Sequence, residues 1–254
     1  MSAENPNGLI EIQIDNTIAT VTFSHPASNS FPSDLLQKLT EELNALNNND
    51  SVNVVILQST GKTFCAGASF EELLSINDFE TGKNFFSGFA NVINAMRKCS
   101  KIIIGKIQGK AVGGGVGLAS ACDFAFAYQD ASIKLSEIAI GIGPFVIEPA
   151  VSRKIGKTAM TQLTLQPYHW QTADWAVEKG LYADLFDSYG ELDENTLAFA
   201  KKLAGYNPEA LAEMKKVFWE GTENWDELLY QRAAISGRLV LSDFTKNALS
   251  EFKK

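Results

Sequence analysis

Two short segments of small residues, Ala66-Gly67-Ala68 and Gly113-Gly114-Gly115, each stand where an apolar run gives way to a helical pattern. The first N–H groups of a helix have no internal acceptor, and the helix dipole adds positive potential there. Residues without bulk let a ligand oxygen approach that backbone closely. Two such N–H groups aimed at one point would form an oxyanion hole, a device for stabilising charge that develops on a carbonyl oxygen. Tight helix–strand packing is an equally good reason for glycine at such junctions, so the chemical reading needs an acid or nucleophile to go with it.

Glu137 is the first candidate. It lies in Leu135-Ser136-Glu137-Ile138-Ala139-Ile140, an otherwise apolar stretch. Carboxylates are seldom buried unless paired or functional, and an apolar pocket raises a carboxyl pKa towards neutrality, which suits general acid–base work. The competing reading is a partly exposed loop carboxylate. Glu148, in Phe145-Val146-Ile147-Glu148-Pro149, has apolar neighbours as well. It reads first as a helix-start carboxylate stabilised by the dipole, and second as a further acid if its loop folds inward.

Other chemistries fail on spacing. Gly156-Lys157-Thr158 ends like a phosphate-binding loop, but Val151 stands at the earlier glycine position. No dinucleotide fingerprint follows a strand in the glycine cluster. The two histidines, His25 and His169, lack metal-ligand spacing, and no nucleophile elbow accompanies them. Cys65 has no adjacent basic group and reads as a small buried residue.

These residues need elements to position them. Ile10, Ile12 and Ile14 alternate with polar residues, Asp15-Asn16 signals a turn, and Ile18 to Phe23 follows, which predicts two strands over 9–23. Leu35, Leu36, Leu39, Leu43 and Leu46 have helical spacing, with Ser33 as the predicted N-cap. Val54-Val55-Ile56-Leu57 and Ile102 to Ile107 predict strands buried on both faces. Ser69-Phe70-Glu71-Glu72 fits a capping box, so a helix is expected directly after Ala68. Strands are expected at Phe124–Ala127 and Ile133–Leu135. From about Ala150 the pattern is mostly helical, with loops near Gln166-Pro167 and from Gly180 to Gly190.

The chain has 254 residues, 45% of them hydrophobic, and a formal net charge of −8, which is enough for a sizeable core and argues against nucleic acid or an anionic membrane as partner. Three scattered cysteines do not make a disulfide framework and fit a reducing, cytoplasmic setting. The polar start of the chain has no signal-peptide pattern, and no apolar run approaches the ~20 residues of a membrane span.

Taken together, the segments resemble the enoyl-CoA hydratase/isomerase (crotonase) family over nearly the whole length. They are His25-Pro26-Ala27-Ser28-Asn29-Ser30, Phe64-Cys65-Ala66-Gly67-Ala68, Gly109-Lys110-Ala111-Val112-Gly113-Gly114-Gly115, Cys122-Asp123, Ser136-Glu137 and Gly141-Ile142-Gly143-Pro144. Their order and spacing are specific together, and none is specific alone. The resemblance implies an α/β spiral of repeated ββα units over residues 1–190. It also implies a helical region over 191–254 that completes the site and a trimer or dimer of trimers. An acyl-CoA substrate of fatty-acid metabolism follows, with coenzyme A arriving as part of the substrate and neither a separate cofactor nor a metal. By position, the N–H groups of Ala68 and Gly114 would hold the thioester oxygen, and the backbone near Ala66 and Ala68 would meet the adenine. Ser28 and Lys110 fall where CoA phosphate or pantetheine contacts occur. Phe252 and Lys253 match the C-terminal aromatic residue and lysine that family members lend to a neighbouring subunit.

Two departures from the family pattern matter. Ser69 replaces an aspartate after Ala68, with little chemical consequence because serine also caps a helix. Gly117 stands where two-glutamate hydratases carry their first glutamate, so Glu137 remains as the one matched carboxylate. A lone carboxylate beside an oxyanion hole suits moving a proton between carbons, as in 3-enoyl to 2-enoyl isomerisation, or decarboxylation through the same enolate. Hydration of a 2-enoyl-CoA, including a branched one such as methylglutaconyl-CoA, is the alternative, and a non-catalytic acyl-CoA binding protein is a third reading.

Overall fold

The computed structural model describes residues 5–251. The chain opens with an antiparallel hairpin, Leu9–Asp15 (β1) and Ile18–Ser24 (β2), turned through Asn16 at φ 53°. Helix Ser33–Asn47 (α1) buries the leucine stripe its spacing predicts. Its start differs from the expectation. Pro32, not Ser33, is the N-cap residue, and Ser33 instead donates its N–H and Oγ to the Glu72 carboxylate, at 3.1 and 2.6 Å.

One pattern then occurs three times: a strand for a large sheet, a short strand for a small sheet, and a helix. The first repeat is Val54–Ser59 (β3), Thr63–Cys65 (β4), Phe70–Ser75 (α2) and Phe79–Lys98 (α3). The second is Ile102–Ile107 (β5), Lys110–Val112 (β6) and Gly114–Ala121 (α4). The third is Phe124–Tyr128 (β7), Ser132–Lys134 (β8), a 3-10 turn over Glu137–Ile140, and Glu148–Leu165 (α5). There follow Gln171–Thr172 (β9), Ala173–Glu178 (α6), Asp184–Phe186 (β10), Tyr189–Ala204 (α7), Pro208–Phe218 (α8), Trp225–Leu239 (α9) and Asp243–Glu251 (α10).

The large sheet runs β1-β2-β3-β5-β7-β10 and is parallel beyond the first hairpin. The small sheet runs β4-β6-β8-β9, with its first three strands parallel. Continuous apolar runs in β3 and β5 reflect burial on both faces. Val55, Leu57 and Ile103 enter the main core, whereas Val54, Ile56, Ile102 and Ile104 pack with Leu192 and Ala200 of α7. The segment expected as a loop from Gly180 contains β10, which extends the large sheet by pairing with β7.

The helical end of the chain is fastened at Asp123. Its Oδ2 lies 2.8 Å from Lys215 Nζ and accepts from the Ile103 N–H, while Oδ1 accepts from Trp219 Nε1 at 2.7 Å. Both charged side chains of the pair are almost wholly buried. Lys215 also donates to the Lys101 carbonyl. The Cys122-Asp123 segment thus joins the start of β7 to α8.

Candidate active site

Strands β4, β6 and β8 lie side by side and parallel, with Cys65 opposite Ala111 and Val112 opposite Lys134. The chain leaves all three at the same edge. The segments Ala66–Ala68, Gly113–Gly114 and Ser136–Glu137 are therefore neighbours, at the carboxyl ends of parallel strands where α/β sheets place ligands.

The first turn is held by Phe31. Its N–H donates to the Gly67 carbonyl and its carbonyl accepts from the Ser69 N–H, each at 2.8 Å, so the N–H of Ala68, between them, is passed over. Gly67 sits at φ 92° and its own N–H donates to Cys65 Sγ. The second turn pivots on Gly113, at φ 53° and ψ −118°, a conformation suited to glycine. The Gly113 N–H donates to Lys134 O and its carbonyl accepts from Val116 and Gly117, which leaves Gly114 as the first residue of α4. Among the described residues, no acceptor meets the N–H of Ala68 or of Gly114. The turns approach closely, since a Cβ built on Gly67 would lie 3.5 Å from Gly114 N.

Glu137 comes against the second turn. A Cβ on Gly113 would stand 2.7 Å from its Oε1, so this glycine also makes room for the acid. The residue as a whole is half-buried, but Oε2 is inaccessible and has no hydrogen-bond partner among the described residues. Burial pushes the carboxyl pKa from 4.5 up to about 7, against a smaller downward pull from backbone hydrogen bonds at Glu137 and Ser136. Both protonation states are thus available near neutral pH.

A cavity of about 150 Å³ opens between these groups, walled by Leu73 of α2, by Phe85, Phe86 and Phe89 of α3, and by Ile140, Ile142 and Ile147. Among the described residues, Glu137 is its one ionisable side chain, and Ser136 and Ser236 are its hydroxyl-bearing ones. Ala66, Ala68, Gly114 and Glu137, all singled out from sequence, meet here. Glu148 does not. Partial burial acts to raise its pKa, but hydrogen bonds from Lys157 and Ser152, at 2.7 and 2.6 Å, and the charges of Lys157 and Arg232 outweigh it and hold the group low. Its side chain, in the first turn of α5 as the helix-start reading has it, lines a neighbouring cavity and is engaged there.

Ser28 lines a separate cavity of about 660 Å³ with His25, Asn29 and Thr60–Thr63, and its carbonyl accepts from the Ala66 N–H at 3.1 Å. Lys110 is exposed and stacks its ammonium over Trp170, 5.0 Å from the ring centre, outside the walls of both cavities. Phe252 and Lys253 lie outside the described residues. Cys65 is buried, and burial pushes its thiol up to about 12, in keeping with a packing role.

Two wall residues escaped the sequence reading. The Phe89 ring lies over Gly114, where any Cβ would overlap it. Ile147 covers Gly117, and a Cβ there would overlap Ile147 Cγ2. A glutamate at 117 is therefore not merely absent: its place is filled. The spacing Phe85-Phe86-Phe89 offered a signal for the first, and nothing local marked the second.

Residues 13–251 match the family described as enoyl-CoA hydratase/isomerase. The peroxisomal Delta(3,5)-Delta(2,4)-dienoyl-CoA isomerase of Arabidopsis thaliana is 26% identical, over 95% of this chain and 92% of its own. The short-chain-enoyl-CoA hydratase of Clostridium acetobutylicum is 27% identical, over 95% of this chain and 93% of its own. In three dimensions the chain resembles the crystal structure of enoyl-CoA hydratase from Bacillus halodurans with a TM-score of 0.88, covering 95% of this chain and 99% of that one at 24% identity.

Proposed function

The chain belongs to the enoyl-CoA hydratase/isomerase family, with its fold and its acyl-CoA chemistry, and from that premise we propose that it isomerises a 3-enoyl-CoA to a 2-enoyl-CoA. The carrying observation is one buried carboxylate, Glu137, next to two unpartnered N–H groups in a cavity with no other ionisable wall among the described residues.

The thioester oxygen accepts from Ala68 N–H and Gly114 N–H. These donors strengthen as the oxygen gains charge, which lowers the cost of losing a proton at C2. Glu137, ionised, takes that proton, and the electron pair spreads from C2 to C4 and the thioester oxygen as a dienolate. Protonated Glu137 then delivers the proton to C4, and the double bond stands between C2 and C3. Nothing is consumed, and the acid returns to its starting state. The CoA portion is proposed to pass the Ser28–Ala66 contact, which links a wall residue of each cavity, with Lys110, Phe252 and Lys253 as further contacts. A homotrimer or dimer of trimers and a cytoplasmic setting complete the proposal. Exposure of Tyr168 supports burial in an assembly, and the three buried free cysteines support a reducing compartment.

Hydration of a 2-enoyl-CoA is the second reading, favoured by Ser136 and Ser236, whose hydroxyls could hold a water for Glu137. Decarboxylation and a methylglutaconyl substrate rank lower, because no cation among the described residues faces the pocket to hold an acyl carboxylate. Turnover of matched 3-enoyl- and 2-enoyl-CoA esters is the test. Formation of the conjugated thioester from the first is expected. Hydration of the second without isomerisation would replace the proposal with the alternative, and tight binding without turnover of either would make the protein an acyl-CoA carrier.

A further inference from the structure

The catalytic cavity does not end in solid core on its far side. Pro144 and Phe145 line it and also line a second cavity of about 300 Å³, whose other walls include Met160, Thr164 and Leu165. The Phe145 side chain is seated rather than loosely placed. A Cβ on Gly143 would lie 2.7 Å from Phe145 Cε2 and 3.0 Å from Cζ, so the missing side chain at 143 is what lets the ring occupy its position. With the ring there, the reacting cavity keeps its volume of about 150 Å³, about that of a dry pocket that holds a benzene-sized group.

Resting on the acyl-CoA reading above, we infer that Phe145 is a chain-length stop: its ring is the partition that confines the acyl group to about six carbons, and the cavity behind it is a ready extension for a longer tail. Pro144 fixes the backbone beside the partition. The far cavity carries Glu148, Lys157 and Arg232 together with its apolar walls, and removing the ring is expected to let an alkyl tail reach those apolar walls.

Saturated esters separate this idea from catalysis because they bind without reacting. Butyryl-CoA and dodecanoyl-CoA would be titrated calorimetrically into the wild type, Phe145→Ala, Phe145→Leu and Phe145→Ala/Thr164→Trp. For the wild type, the dodecanoyl ester is expected to bind no more tightly than the butyryl ester. In Phe145→Ala the dodecanoyl ester should gain at least tenfold in affinity while the butyryl ester changes less than threefold. Phe145→Leu should give an intermediate gain and serves if the alanine variant does not fold. Refilling the far cavity with Thr164→Trp should abolish the gain. An unchanged chain-length profile in both Phe145 variants, or a gain that survives Thr164→Trp, overturns the inference while leaving the acyl-CoA reading intact. Absence of binding of either ester to the wild type would overturn that reading itself, and the inference with it.

Discussion

At the scale of residues, burial pushes the Glu137 carboxyl up to the range in which the proposed proton transfer needs it. Its pKa of about 7 sets an expected pH dependence. If the ionised form starts the reaction, kcat/KM rises with pH, turns near pH 7 and then levels off, because this parameter reports the free enzyme. A profile still rising in proportion to hydroxide at pH 9 would show that another group is the base. The same shift has a stability consequence. The unfolded chain releases this proton near 4.5 and the folded one near 7, so folded-state stability falls as pH rises between them and levels off above. Glu137→Gln should match the wild type at pH 4 and exceed it at pH 8 by on the order of 3 kcal/mol, read as a difference in urea midpoints. Glu148→Gln, outside the walls of the reacting cavity, should keep turnover within about threefold of wild type. Much of this was legible beforehand: a glutamate among apolar residues and two glycine-rich turns are local signals. That Glu148 is tied to Lys157 and Arg232 was not, since those partners lie on other turns and elements.

At the scale of elements, the third strand-to-helix junction is as important as the two that glycine marks. Helix α4 could have carried a second acid, but Ile147 covers Gly117. Gly117→Glu alone is therefore expected to lower stability by about 1–3 kcal/mol through overpacking without conferring hydratase activity. Gly117→Glu/Ile147→Gly should recover part of the loss, and thermal melts together with 2-enoyl-CoA hydration assays check both. The Asp123–Lys215 pair is a second element-level device. Lys215→Met leaves a buried carboxylate with one cation fewer and should cost about 3–5 kcal/mol, seen as a lower urea midpoint, with α8 loosened first in hydrogen exchange. The long strands and α1 were readable from periodicity, whereas α3 was not. Its Gly82 and Gly88 weaken the helical signal, and the reason for them is tertiary: Gly82 meets Gly237 of α9, where a Cβ would lie 2.9 Å from the Gly237 carbonyl, and Gly88 meets Leu36 of α1. Of the small sheet's strands, β8 is expected at Ile133–Leu135 and is found at Ser132–Lys134, whereas β4, β6 and β9, two or three residues each, are too short to show alternation.

At the scale of the whole molecule, repetition builds the site. Each repeat places a strand in the large sheet and one in the small sheet, and parallel packing of β4, β6 and β8 brings three sequence-distant junctions to one edge. In the proposed mechanism two supply donors and the third supplies the acid. This convergence is what spacing alone could not give, because it depends on which strands pair. The most direct measurement follows the C2 hydrogens of a 3-enoyl-CoA by NMR in deuterium oxide, with the wild type and with Glu137→Gln. Wild type is expected to remove a C2 hydrogen and form the 2-enoyl ester, while Glu137→Gln binds the ester within threefold of wild type yet slows that loss by about 10²–10⁴. Undiminished loss of the C2 hydrogen in Glu137→Gln would show that another group is the base.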